Sequence, residues 1–196
     1  MRRIASLCIF LSFLVFDFST AEQELLIKPL AEKSVTSLPR GELFWRIDSF
    51  GTQAQARAAM GAWSLLAESA GRIWLFTLGA PRSDSSAGAT KIAQVGPIPR
   101  VHASRYILRI NDVSGPPGSV TPVHSHPGTE AFFVLDGEQS IREVHGVTRI
   151  AAGQTAAGRG ADEPMQVLSG GPADLHALVM FIVDADRAFT SPATLP

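Results

Sequence analysis

From residue 105 onward the chain reads as short apolar or alternating runs separated by glycine-rich turns. Arg105–Asn111 alternates apolar and polar side chains and predicts a strand. Val120–His126 predicts another. Ala131–Leu135 is apolar on both faces, as a central strand is. Gln139–Val144, Val147–Ala151, Gln154–Ala157, Met165–Leu168 and Leu175–Asp184 complete the series. Asp136-Gly137 predicts a hairpin turn returning Gln139–Val144 onto the preceding strand, and His145-Gly146 predicts a further turn. Short strands at this spacing argue for an all-β barrel or sandwich.

The first half patterns differently. Residues 22–40 mix polar and apolar positions around Pro29 and Pro39 and read as a loosely packed arm. Glu42–Phe50 predicts a strand. Gln53–Met60 is rich in good helix formers, with Thr52 placed as N-cap, and predicts a short helix. Trp63–Glu68 and Arg72–Leu78 predict a hairpin about Ser69-Ala70-Gly71. The three tryptophans lie in this half, and core packing against the barrel or a second copy accounts for them. Pro81–Thr90 reads as a loop and Gly96-Pro97-Ile98-Pro99 as a break. The resulting division is a leader over residues 1–21, an extension of arm, helix and hairpin over 22–95, a barrel over 96–188 and a tail over 189–196.

The leader carries Arg2 and Arg3, then the apolar run Ile4–Phe16, then Ser19-Thr20-Ala21 at cleavage spacing. It predicts export to a periplasmic or extracellular location, with a cut before Glu22. The run is short for a membrane span, so no membrane association is expected after cleavage. The leader also contains Cys8, the chain's one cysteine, which excludes disulfide and thiolate chemistry from the remainder. A formal net charge of −1 with no basic run argues against nucleic acid.

Candidate chemistry concentrates between Gly118 and Gly137. On an extended strand His124 and His126 share a face. Pro127-Gly128 then turns the chain, so Glu130 can return beside them. Two imidazoles and a carboxylate with open positions suit a divalent ion such as iron, manganese, zinc, nickel or copper. The same trio without metal can hold a polar ligand by hydrogen bonds. Phe132 and Val134 share the parity of Glu130 and are expected to line a small pocket with it.

The spacing Gly118-x5-His124-x-His126-x3-Glu130-x6-Gly137 resembles the first motif of the cupin family at every fixed position. The resemblance covers about residues 95–185. It implies a double-stranded β-helix, here with an N-terminal α+β extension, and a metal held by His124, His126 and Glu130. The second cupin motif departs from the family pattern. After Gly153 and Gly158, Met165 stands where the family has a fourth ligand, a histidine. Met165 and His176 are the candidates for that fourth position or for the pocket wall. His102, His145, Arg159 and Glu163 are expected outside the site, on turns or at the rim. Two functions follow: a metal-dependent enzyme, dioxygenase-like or isomerase-like, acting on a small organic molecule, or a cupin that binds or senses a small ligand without turnover. A homodimer is expected, since closed twofold assembly is the common default.

Overall fold

The computed structural model describes residues 23–196, so the leader and its cleavage site lie outside the described residues. The elements run β1 (Leu26–Val35), β2 (Leu43–Phe50), α1 (Gln53–Ala58), β3 (Ser64–Ser69), β4 (Arg72–Gly79), β5 (Thr90–Ile98) and β6 (Tyr106–Gly115). They continue with β7 (His124–Ser125), β8 (Gly128–Asp136), β9 (Glu138–Glu143), β10 (Gly146–Ala151) and β11 (Thr155–Ala157). The series ends with β12 (Met165–Ser169), β13 (Leu175–Asp184) and β14 (Ser191–Pro192).

Three antiparallel sheets form, in the orders β1-β6-β13-β8-β11, β10-β9-β12-β7-β14 and β3-β4-β2-β5. Strict alternation along β13 explains how they stack. Ala177, Val179, Phe181 and Val183 enter one core, with Phe132, Val134, Ile141, Met165 and Val167. Leu178, Met180 and Ile182 enter another, with Trp45, Ile47, Trp74, Phe76 and Leu78 of the third sheet. One strand thus serves two cores because successive side chains point to opposite faces. The first core fills the barrel. The second binds the extension to the barrel's outer face, and the fully buried Phe76 alone adds on the order of 3 kcal/mol there. The tryptophan-rich half is therefore packed within the protomer.

The local expectations for the extension hold. Thr52 caps α1, its hydroxyl accepting from the Gln55 amide at 3.3 Å. Ala70 and Gly71 both have positive φ, as the tight β3–β4 hairpin requires. Other readings are corrected. The expected arm contains β1, which pairs with β6 from Leu26↔Ser114 to Val35↔Tyr106 as an edge strand of the barrel sheet. The expected break at Gly96–Ile98 lies within β5, an edge strand, where a proline's missing N–H is tolerated. The His-x-His strand is only His124–Ser125. Its two ladder partners, β12 and β14, come from distant parts of the chain.

Asp136-Gly137 is not a hairpin turn. β9 leaves β8 and crosses to the opposite sheet, pairing with β10 and β12. Gly137 has φ +74°, and a Cβ there would stand 2.5 Å from the Asp174 carbonyl oxygen. Glycine is needed here for a sheet-to-sheet corner. The expected turn at His145-Gly146 does join the β9–β10 hairpin, with Gly146 opposite Glu143.

Candidate functional site

The site lies at the mouth of the barrel, where β6, β7, β8 and β13 meet the segment after β13. A cavity of about 300 Å³ opens there, its walls mainly apolar. His124, His126 and Glu130 all line it, with Phe132, Val179 and Phe181 below them.

Each of the three candidate ligands is held by its backbone surroundings. His124 Nδ1 lies 2.8 Å from the Pro122 carbonyl oxygen. His126 Nδ1 lies 2.6 Å from the Phe189 carbonyl oxygen. A carbonyl only accepts, so each Nδ1 carries the proton and each Nε2 presents a lone pair. The rings stand 5.0 Å apart, edge to face. Glu130 is 3% exposed. Its Oε1 is buried without a hydrogen-bond partner, and its Oε2 lies 4.0 Å from His126 Nε2.

Burial sets the charge state. It pushes the Glu130 carboxyl up to about 8, with a smaller contribution from the Glu143 charge. Burial also pulls His126 down to about 4, outweighing the Phe189 hydrogen bond that favours its charged form. Without a cation, both groups are neutral at pH 7. Their 4.0 Å separation is therefore a gap between two uncharged groups, not an ion pair.

Among the described residues, no three His, Cys, Asp or Glu side chains stand together as a pre-assembled metal cluster. Two ligands of one ion at about 2.1 Å, in neighbouring coordination positions, stand about 3–3.5 Å apart. Glu130 and His126 are wider than that, so holding an ion requires a closure of roughly 0.5–1 Å by the same geometry. The donor types and the orphaned Oε1 suit a divalent cation, and the spacing asks for this small movement.

The other candidates separate clearly. Met165 is the ladder partner of His124 and is 3% exposed, within the barrel core. It shares the cluster of Phe132 and Phe181, but the cavity wall on that strand is formed by Val167. Phe132 lines the cavity, whereas Val134 sits deeper in the same core. His176 is not at the site. Its parity on β13 is opposite to that of Phe181, and its Nε2 meets Asp112 Oδ2 at 3.0 Å and Ser69 Oγ at 3.2 Å. Ser69 also bonds Asp112, so the three tie β3 to the barrel sheet. Arg159 bonds Glu143 through Nε at 2.9 and 3.0 Å, and neither residue lines the cavity.

Several wall residues escaped sequence reasoning. Arg109, Asn111 and Thr121 line the cavity, as do Phe189 and Thr190 beyond the expected barrel end. The Arg109 guanidinium lies 4.0 Å above the Phe189 ring and pairs with Glu32 of β1. His126, Phe181 and Phe189 form a three-ring cluster with centroids 5.0 Å apart. The alternation of β6 carried a signal for Arg109 and Asn111, since Leu108 and Ile110, which alternate with them, face the other core.

No family model matches the sequence, and no curated protein matches it. Solved structures show partial similarity. The polyketide cyclase RemF from Streptomyces resistomycificus is 18% identical with TM-score 0.38, over 45% of this chain and 62% of that one. The DMSP lyase DddQ from Ruegeria pomeroyi DSS-3 is 25% identical with TM-score 0.38, over 44% of this chain and 43% of that one. A cupin superfamily protein from Desulfitobacterium hafniense DCB-2 is 16% identical with TM-score 0.36, over 39% of this chain and 68% of that one. The matched stretch is thus less than two thirds of the cyclase and under half of the lyase. Overlaps this partial leave the fold to be read from the chain's own strand order. On those grounds the two facing five-stranded sheets have the arrangement of a double-stranded β-helix, with the segment from Gly118 to Gly137 at its mouth.

Proposed function

We propose that this pocket holds a divalent cation on His124, His126 and Glu130 and takes a small organic molecule beside it. One observation carries the reading. Both imidazoles are fixed through Nδ1 by backbone carbonyls, which leaves each Nε2 unused, and Glu130 lines the same cavity with its Oε2 4.0 Å from His126 Nε2 and its Oε1 buried without a partner. Metal-binding histidines are oriented in this way by an acceptor behind the ring.

A bound cation would supply Lewis-acid chemistry or, if it were iron, manganese or copper, redox chemistry. The chain's own residues do the rest. Glu130 would have to give up its proton to hold a cation, since a neutral carboxyl at pH 7 is a poor ligand. Phe132, Phe181 and Phe189 keep the site dry and strengthen its electrostatics. Arg109 packs over the Phe189 ring. The mostly apolar wall suits a molecule with a hydrocarbon body.

A second reading has its own support. Methionine opposite His124 and the 4.0 Å gap between His126 and Glu130 favour weak metal retention. Under it the neutral Glu130 and His126 bind a ligand by hydrogen bonds, and the protein senses or carries that ligand without turnover. Export through residues 1–21 and a twofold dimer belong to the proposal as well. The dimer would use a surface other than the aromatic layer, which is already buried within the protomer.

Elemental analysis decides between the readings. Protein produced from the full-length chain and purified without chelator is expected to carry near-stoichiometric metal. A His124→Ala/His126→Ala variant is expected to carry none. Absence of metal from both, after each candidate ion has been offered, removes the metal reading and leaves the binding module.

A further inference from the structure

We propose that Asn111 is a specificity-determining residue of this pocket, binding a hydroxyl group on a small, mainly hydrocarbon ligand. The inference rests on reading the cavity as the ligand site. Asn111 lies on β6, opposite Pro29 of β1 on one side and Val179 of β13 on the other. It lines the cavity and is 4% exposed, yet its Oδ1 has no hydrogen-bond partner. An amide buried in this state costs stability, and a protein that keeps one has a use for it or accepts the loss. On its own sheet its neighbours along the cavity are Val113 and Val179, and the facing sheet presents Val167, none with a polar side chain to offer.

The position of Asn111 within the pocket specifies the ligand further. Across the sheet Arg109, Phe181 and Glu130 form one row, and Asn111, Val179 and Phe132 form the next. Asn111 and Glu130 are thus two strands apart, roughly 10 Å at about 4.8 Å per strand. Between these two polar poles lie Val179, Phe181 and Phe132. A cavity of about 300 Å³ holds on the order of ten non-hydrogen atoms, taking about 30 Å³ for a water. A ligand of that size spans the poles, with its hydrocarbon body on the valines and phenylalanines. A hydroxyl is the fitting group at Asn111 because it both donates and accepts, matching either end of the amide. The class is a small alcohol or phenol, not an ion. The one permanent cation on the wall, Arg109, is already paired with Glu32.

The test uses matched probes that differ by hydroxyl against methyl: phenol with toluene, and cyclohexanol with methylcyclohexane. Their affinities are measured by calorimetry or ligand-observed NMR for the wild type, for Asn111→Leu, and for Asn111→Leu on the His124→Ala/His126→Ala background. Asn111→Leu is expected to move the hydroxyl-to-methyl affinity ratio toward the methyl compounds by about tenfold, on either background. It is also expected to raise the Tm of the ligand-free protein by about 2–8 °C, because an unpartnered polar group is replaced by a hydrocarbon of similar size. A purely structural asparagine would lower it. An unchanged ratio, a lowered Tm, or failure of the wild type to bind any of the four probes overturns the inference. The histidine-free background separates the inference from the metal reading. A ratio that moves in protein lacking His124 and His126 keeps Asn111 as the selector whether or not the metal reading survives its own test by elemental analysis.

Discussion

Met165 stands directly across the β7–β12 ladder from His124. Ladder partners place their side chains on the same face of a sheet, so the thioether is on the imidazole's side. A thioether is a weak ligand for all but soft ions. Met165→His is therefore expected to complete the donor set. Metal affinity measured by chelator competition should tighten by at least about tenfold, since even groups that merely support a metal ligand are worth about 10- to 100-fold. Without metal the variant should lose about 1–3 kcal/mol, because a polar ring replaces a packed methionine in the core. Restoration of that stability by added metal is the diagnostic result. An affinity that does not move would mean that residue 165 stays in the core and the pocket never offered a fourth position.

Glu130 and His126 make opposite contributions to pH dependence in the metal-free protein. Glu130, raised in the folded state to about 8, binds its proton more tightly folded than unfolded. Its contribution is full below its ordinary value and is lost as pH rises toward 8. His126, lowered to about 4, contributes stability above its ordinary value, and that is lost as pH falls toward 4. The two slopes oppose each other in mildly acid solution. Above the ordinary histidine range only Glu130 still titrates, so stability should fall from about pH 6.5 to about pH 8. The limiting slope is about 1.4 kcal/mol per unit. Denaturant titration across that window should show the fall in the wild type and lose it in Glu130→Gln. At pH 7, metal loading should release about one proton, measurable by calorimetry in two buffers of different ionisation enthalpy.

Gly158 tests how closely the barrel is built around the site. A Cβ there would stand 1.7 Å from the Glu130 carbonyl oxygen, which no side-chain movement relieves. Gly158→Ala is expected to push β8 aside, cost roughly 4 kcal/mol or more, and abolish metal and ligand binding. Gly160, two residues on, would place its Cβ 3.3 Å from the end of the Glu163 side chain, which can swing away. Gly160→Ala is expected to stay within about 0.5 kcal/mol of the wild type. Similar thermal unfolding curves for the two would contradict the close backbone approach beneath Glu130.

Local signals in the sequence were good guides to local structure, and the site depends on both local and distant partners. His124, His126, Glu130 and Phe132 reach one cavity because a short segment and the parity of one strand fix them. The cap at Thr52 and the hairpin at Ala70-Gly71 are equally local. What escaped was pairing between distant segments. β1 reads as an arm until it is known to lie against β6, 88 residues away at the register pair Leu26↔Ser114. Asp136-Gly137 has the composition of a hairpin turn, but whether the next strand returns or crosses is decided by which sheet offers β9 partners. His176 faced the wrong way for a ligand because β13 is shared between two cores, and its parity is set by the third sheet. Asn111 became a pocket residue only once the order β6-β13-β8 was known.

The chain after β13 gives the remaining test, because its residues reach back into the site from outside the expected barrel. β14 pairs with β7 through Ser191↔Ser125 and Pro192↔His124. The Ala193 amide donates to the Val123 carbonyl at 3.1 Å. Phe189 supplies both a ring to the cavity wall and the carbonyl that fixes His126. Truncation after Ala188 removes all of these, whereas Phe189→Ala removes only the ring. Both proteins should keep a β-type far-UV spectrum, since the two cores are completed before residue 189 apart from Phe189 itself. Phe189→Ala should weaken binding of the hydrocarbon probes and leave metal affinity nearly unchanged. Truncation should weaken both, with metal affinity falling by about 10- to 100-fold as His126 loses the acceptor behind its ring. If truncation and Phe189→Ala give the same metal affinity, the carbonyl does not orient His126. The support for a metal at Nε2 would then rest on His124 and Glu130 alone.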